Sequence, residues 1–279
     1  MEIAQLADNG DIVVDPHNQR IRVLSYEAAA IPRLHAALLR EGQQNDLHKI
    51  IMYAKKADVP ALLELGYRQE GKIDGFFRGE NAQMLSYFLT PERAASTAPA
   101  LAEENLRLSL AKGRAERREL PDGYRLRDAD EGDADALAAL YRQVFPVYPT
   151  PMDDAAYIRK TMREGTCYVV AETDDGIACA ASAEISARFG SAEMTDCATH
   201  PAHAGRGLLQ PLFAALEEKM KAKGIYYLYT LTRAQSAAMN ITAARQGYAY
   251  RGRLINNCRI SSGYEDMNIW VKPLKETWE

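Results

Sequence analysis

The chain has 279 residues, 47% hydrophobic and 26% charged, enough for one large domain or two small ones with a sizeable buried core. That balance excludes a disordered or collagen-like chain. A net charge of -4, from 34 Lys and Arg against 38 Asp and Glu, disfavours nucleic acid as a partner, since phosphate binding needs a basic surface. With no run of 18 apolar residues and no apolar stretch near the start, neither a transmembrane helix nor a signal peptide is expected, and the expected compartment is the cytoplasm.

In chain order, the segment around 90–121 shifts in composition. Ala98 to Glu119 is rich in Ala, Leu, Glu and Arg, is bounded by Pro99 and Pro121, and reads as a connecting helix between two units or as one more helix of a single large domain. The first reading divides the chain into an N-terminal unit (1–97), a connector (98–121) and a larger C-terminal unit (122–279). In the last unit a strand at YRLRD precedes a helix capped by Asp133, then a second helix over Asp153 to Arg163. Strands follow at 166–172, 177–188 and 191–199, the first two joined by the turn TDDG. A glycine-containing loop leads into a helix over Leu208 to Lys223, stopped by Gly224. A strand to Thr232, a helix over Ala234 to Gln246 and two strands ending near Val271 complete the order β-α-α-β-β-β-α-β-α-β-β, a mixed α/β (α+β) layout.

An internal echo links the halves. GYRQEGKIDGFF and GYAYRGRLINN share glycines at one offset, Gly66/Gly71 and Gly247/Gly252, and each leads to a Met (Met84, Met267) in a strand-like run. The four cysteines and five histidines show no C-x-x-C or H-x-x-x-H spacing, so no bound metal is expected.

The most informative stretch is DCATHPAHAGRGLLQPLFAAL, residues 196–216: strand, glycine loop, helix start. Glycines let backbone N–H groups approach an anion, and the helix dipole favours it. Neither a Walker A lysine nor the third glycine of a dinucleotide fingerprint is present. On this stretch the sequence resembles the GNAT superfamily of acetyl-CoA-dependent N-acetyltransferases. The family's pyrophosphate loop maps to Ala204, Gly205, Arg206, Gly207, Leu208 and Leu209; Ala204 and Leu209 depart from its basic or amide first residue and small last residue. The segments AEMTDCATHP, SAAMNITAARQGYAYRGRLINN and GYEDMNIWVK, with KIIMYAKKADVPALLELGY and EGKIDGFFRGENAQM, are similar to the beta-lysine acetyltransferases. That resemblance implies a mostly antiparallel GNAT sheet flanked by helices, preceded by a degenerate GNAT-like partial domain. It also implies acetyl-CoA as cosubstrate, and acetylation of the terminal amine of beta-lysine (3,6-diaminohexanoate), formed by lysine 2,3-aminomutase, to a compatible solute serving osmoadaptation; acetylation of another small amine or a protein terminus, or a non-catalytic acyl-CoA-binding module, stays open as an alternative.

Such chemistry needs a base, because an alkyl ammonium with pKa near 10.4 is neutral in only roughly one of a few thousand molecules at neutral pH. Glu184 sits on the strand where the family often carries that base, on one face with Ala180, Ser182 and Ser186. Glu193 and Asp196 compete for the role or for a substrate ammonium; their offset of three puts them on opposite faces of a regular strand. Asp196 then shares a face with Met194 and Ala198. The family's acid, a Tyr four residues before the terminal Gly-Tyr, maps to Ala243, leaving Tyr248, Tyr264 and Cys258 as weaker candidates. By resemblance, Cys197, Ala198 and Thr199 contact the pantetheine arm through main chain, and Ser236 takes the place of a cofactor-contacting Asn. For the small amine itself, Tyr148, Asn256, Asn257, Glu265 and Asn268 are candidates. The N-terminal half lacks a glycine loop and is expected to bind no cofactor. It completes a sheet, shapes the amine pocket or mediates a homodimer, three readings the sequence leaves open.

Overall fold

The computed structural model describes residues 12–116, 118–260 and 263–274. The strands are β1 (Ile12–Asp15), β2 (Arg20–Val23), β3 (Lys49–Ala54), β4 (Arg68–Phe77), β5 (Glu80–Phe88), β6 (Arg125–Asp128), β7 (Cys167–Thr173), β8 (Gly176–Ser186), β9 (Ser191–Thr199), β10 (Tyr227–Arg233), β11 (Ala249–Ile260) and β12 (Gly263–Pro273). The helices are α1 (Ile31–Gln44), α2 (Val59–Glu64), α3 (Pro99–Lys112), α4 (Ala134–Val144), α5 (Ala155–Arg163), α6 (Leu209–Ala222) and α7 (Ala237–Arg245). None is long and apolar enough to cross a membrane.

The strands form one sheet in the order β1-β2-β3-β5-β4-β11-β12-β10-β9-β8-β7-β6. Among the described residues only β2–β3 and β9–β10 pair parallel; the other neighbours are antiparallel. The sequence β2-α1-β3-α2-β4-β5 repeats as β9-α6-β10-α7-β11-β12, and the sheet order is mirrored about the β4–β11 junction. The glycine echo therefore marks a structural repeat, with Gly66 and Gly247 both left-handed just after a helix (φ 90 and 82°).

Local chemistry explains the element limits. Asp130 and Asp133 form a reciprocal capping box ahead of α4, Asp154 caps α5, and Ser236 caps α7. The connecting helix is shorter than its composition suggests: it starts at Pro99 but ends at Lys112, because Gly113 takes φ 58°. Residues beyond it lie along α6 and α7, where Ala115 N–H donates to the Arg245 carbonyl and Gln210 Nε2 to that of Glu116.

Strand alternation sorts the core. In β3, Ile50, Met52 and Ala54 pack toward α1, whereas Ile51 and Tyr53 face the other way, with Leu254, Met267 and Tyr229. In the C-terminal half, Ala181 and Ala183 face the α6 cluster, whereas Ala180 and Ala198 face the α4–α5 cluster.

Candidate active site

β9 and β10 pair only from Ser191↔Tyr227 to Glu193↔Tyr229. Beyond that point they separate: β9 stays with β8 as far as Thr199↔Cys179, and β10 with β12 as far as Arg233↔Met267. Fully buried Asn240 fixes the far side of this gap. Its Oδ1 accepts from Thr232 Oγ1 (2.7 Å) and Trp270 Nε1 (3.0 Å), and its Nδ2 donates to the Arg233 carbonyl (2.8 Å).

A cavity of about 440 Å³ occupies the gap and the face beneath α4 and α5. Its lining joins Glu184, Glu193 and Asp196 to Tyr148, Tyr157 and Arg22. Met239 of α7 also lines it, so the cavity reaches through the sheet toward the α6–α7 side.

The shared placement of Glu193 and Asp196 corrects the expectation that they fall on opposite faces. The β8–β9 register shifts between Ala180↔Ala198 and Ser182↔Thr195, and Asp196 adopts φ 48°. This β-bulge resets the alternation, so Asp196 joins Glu193 and Glu184 while Met194 remains in the α6 cluster, away from Ala198. A left-handed non-glycine residue costs on the order of 1–3 kcal/mol. Three hydroxyls secure it: Tyr141 donates to the Asp196 carbonyl (2.7 Å), Ser182 to Oδ2 (2.7 Å) and Tyr148 to Oδ1 (3.3 Å).

Electrostatics follow from this crowding. Burial, reinforced by the Glu184 charge directly across the strand pair, pushes Glu193 up to about 7, against the pull of Arg22. Burial likewise lifts Asp196 to about 6; the Ser182 hydrogen bond opposes the rise and Glu184 adds to it. The site thus holds carboxyls that change charge near neutral pH, where proton transfer from an amine is most useful.

At the cofactor loop, a short 3-10 turn over Pro201–His203 leads through Gly205 (φ 76°) and Gly207 (φ 78°) into α6. Leu208 provides no side-chain cap for the first turn of α6. Arg206 Nη1 donates to the Tyr124 hydroxyl (2.9 Å), and Arg118 Nη1 would lie 3.3 Å from a Cβ on Gly207. Two left-handed glycines, an uncapped helix start and two guanidiniums suit a phosphate chain. Cys197 borders the gap and lines the cavity, with Ala198 and Thr199 continuing along β9. Ser236 is engaged locally, its Oγ accepting from Met239 N–H at 3.5 Å. Among the described residues no cluster of three His, Cys, Asp or Glu could hold a metal ion.

Other expected site residues lie elsewhere. Tyr248 is buried in the α6 cluster against Phe213 and does not line the cavity. Nor does Asn256, whose Nδ2 donates to the carbonyls of Glu92, Arg93 and Ala95 at 3.3, 3.1 and 2.8 Å. Glu265 instead grips the cavity-lining Arg233 with two bonds of 2.9 and 2.6 Å. Asn268 donates to Asn240 (2.8 Å), and the Arg93 guanidinium lies 3.6 Å from the Tyr264 ring centre. Asn257 and Cys258 do line the cavity, and burial pushes the Cys258 thiol up to about 11. Sequence reasoning missed Arg20, Arg22, Ile51 and Tyr53, which the N-terminal half brings into the same cavity. The alternation in Arg20-Ile21-Arg22-Val23 was the available signal, because it sets two arginines on one face of a strand.

Residues 125–237 match the acetyltransferase (GNAT) domain family. The chain is 38% identical over 263 residues to the N-acetyltransferase YodP of Bacillus subtilis (strain 168), covering 93% of this chain and 94% of that protein. It is 35% identical over 249 residues to a beta-lysine N(6)-acetyltransferase of Methanosarcina mazei, covering 81% and 91% of the two chains. A beta-lysine N(6)-acetyltransferase of Methanococcus maripaludis is 35% identical over 207 residues, with 74% and 76% covered.

Proposed function

The chain belongs to the GNAT acetyltransferases, and from that membership we propose that it transfers the acetyl group of acetyl-CoA to the terminal amine of beta-lysine, giving N-epsilon-acetyl-beta-lysine. The observation that carries this reading is the bulge at Asp196, which gathers three carboxylates into one cavity where β9 and β10 part. A diamino acid brings two ammonium groups, and one of them must lose its proton to react while the other stays charged.

Asp196, with its carboxyl at about 6, is ionised at neutral pH and accepts the proton from the reacting amine. Its place at the end of the β9–β10 pairing puts it beside main chain that has no partner from β10. Around Asp196 and Cys197 that edge of β9 has no partner from β10, so a backbone N–H there is placed to stabilise the oxyanion. Glu193, three residues back along β9 and facing Glu184, holds the second ammonium. The glycine loop and the start of α6 hold the phosphate chain of acetyl-CoA, which supplies the thioester carbon that the amine attacks. The C–S bond breaks as the oxyanion collapses, the departing thiolate takes up the proton held on Asp196, and the second proton that the nitrogen loses as the amide forms passes to the freed Asp196 carboxylate and from there to solvent.

Thiol release from acetyl-CoA, measured with beta-lysine beside lysine, spermidine and short peptides, tests the proposal. The highest kcat/KM is expected for beta-lysine. No release with beta-lysine, or faster turnover of spermidine or a peptide, would overturn it.

A further inference from the structure

The N-terminal half has no glycine between β2 and α1, yet it reaches the cavity. In β2 the apolar Ile21 and Val23 pack into the α1 cluster, so alternation turns Arg20 and Arg22 to the opposite face, where both line the cavity. Tyr53 of β3 lines it too. The turn after β1 is tied to the far wall, because Asn18 Nδ2 donates to the Pro149 carbonyl (3.2 Å) in the loop that carries Tyr148.

The cations of this cavity are not equivalent. Asp15 holds Arg20 at 2.9 Å, Glu265 holds Arg233 at 2.6 Å, and Glu164 lies 3.8 Å from Lys160. Arg22 Nε is buried with no hydrogen-bond partner among the described residues. The groups that act electrostatically on Arg22 are the hydroxyls of Tyr53 and Tyr229 and the carboxyls of Glu193 and Glu184. A buried guanidinium N–H with no acceptor is costly unless something supplies one.

We propose that Arg22, with Tyr53, is the subsite for the carboxylate of an amino-acid substrate, so that the N-terminal half selects amines that carry an acid group. This rests on the proposed acetylation of a diamino acid. The order of groups along β9 fits it. Arg22 lies near Glu193, and Asp196 is three residues farther along, roughly 10 Å at strand spacing before the bulge shortens it. An extended six-carbon diamino acid spans a comparable length. Its carboxylate on Arg22 and its nearby ammonium on Glu193 leave the terminal amine at Asp196. A plain diamine would leave the Arg22 Nε donor unmet, and a site built to bond a group rejects the analogue that lacks it.

The test compares beta-lysine with 1,4-diaminopentane, the same skeleton without its carboxylate, using the wild-type chain, Arg22→Gln and Arg22→Lys. The wild type should favour beta-lysine in kcat/KM by roughly 10- to 100-fold, the range for a charge-assisted hydrogen-bonded pair. Arg22→Gln should collapse that ratio toward one, mainly through KM for beta-lysine. Arg22→Lys should restore part of it. Thermal melting of each variant reports folding, and a loss that is equal for both amines overturns the inference. A wild-type enzyme that acetylates beta-lysine and the diamine equally well also overturns it while the functional proposal stands. If beta-lysine is not acetylated at all, both fall.

Discussion

Gly71 of β4 and Gly252 of β11 face each other at the paired position that joins the two halves of the sheet. A Cβ on Gly252 would sit 2.4 Å from Gly71 Cα and 2.3 Å from the Glu70 carbonyl oxygen, and Gly252 holds φ 138°. A Cβ on Gly71 would meet the Arg251 carbonyl at 2.6 Å. The halves therefore join through backbone contact that neither position could make with a side chain.

Gly252→Ala should consequently destabilise the chain by about 2–4 kcal/mol, since overpacking against backbone adds to a strained φ. Urea unfolding reads this directly. Because the junction also carries β2 and β3 to the cavity, KM for the amine should rise more than KM for acetyl-CoA.

Asp196→Asn should lower kcat by about 100-fold or more, the usual range for a lost general base. The base works only when ionised, so wild-type activity should fall as pH drops through about 6. A pH–rate profile of the variant should lack that limb. Survival of the limb in Asp196→Asn, with loss in Glu184→Gln, would move the role to Glu184.

Glu193→Gln separates binding from proton transfer. It should raise KM for a diamino acid while changing kcat less. It should also alter the pH dependence of stability. Glu193 rises from its ordinary 4.5 to about 7 on folding. The folded chain then binds this proton more tightly than the unfolded chain, and its contribution to stability is lost as pH rises across that window. Melting temperature measured from pH 4.5 to 7.5 should decline less steeply in the variant.

Gly207→Ala places a methyl group in a left-handed loop position, 3.3 Å from Arg118 Nη1. KM for acetyl-CoA should rise by about 10-fold or more while KM for the amine holds, as steady-state kinetics with each substrate varied would reveal. Arg118→Ala should weaken the same constant, because a guanidinium beside the loop offers charge-assisted bonds to phosphate.

Tyr248→Phe tests the geometry from the other side. The ring packs against Phe213 within the α6 cluster, outside the cavity. The variant should keep both its kcat and the shape of its pH–rate profile; loss of an alkaline limb would return Tyr248 to the role of acid.

The order of elements from β6 to β12 was readable from local chemistry, because alternation in TCYVVAE, the caps at Asp133 and Asp154 and the stop at Gly224 act over a few residues. The glycine loop was readable for the same reason. Local pattern also named Glu184, Glu193 and Asp196, but it put the last two on opposite faces, since a regular strand alternates and nothing in DCAT announces a bulge. Only the tertiary hydroxyls of Tyr141, Ser182 and Tyr148 hold Asp196 in its left-handed turn. The N-terminal contribution was still less accessible. Arg22 lies 171 positions before Glu193, and what brings them together is a sheet continuous through Gly71 and Gly252. Sequence determined which strands and loop the C-terminal unit has; packing across the repeat decided which charges share a cavity, because burial and mutual repulsion depend on distance in space, not along the chain.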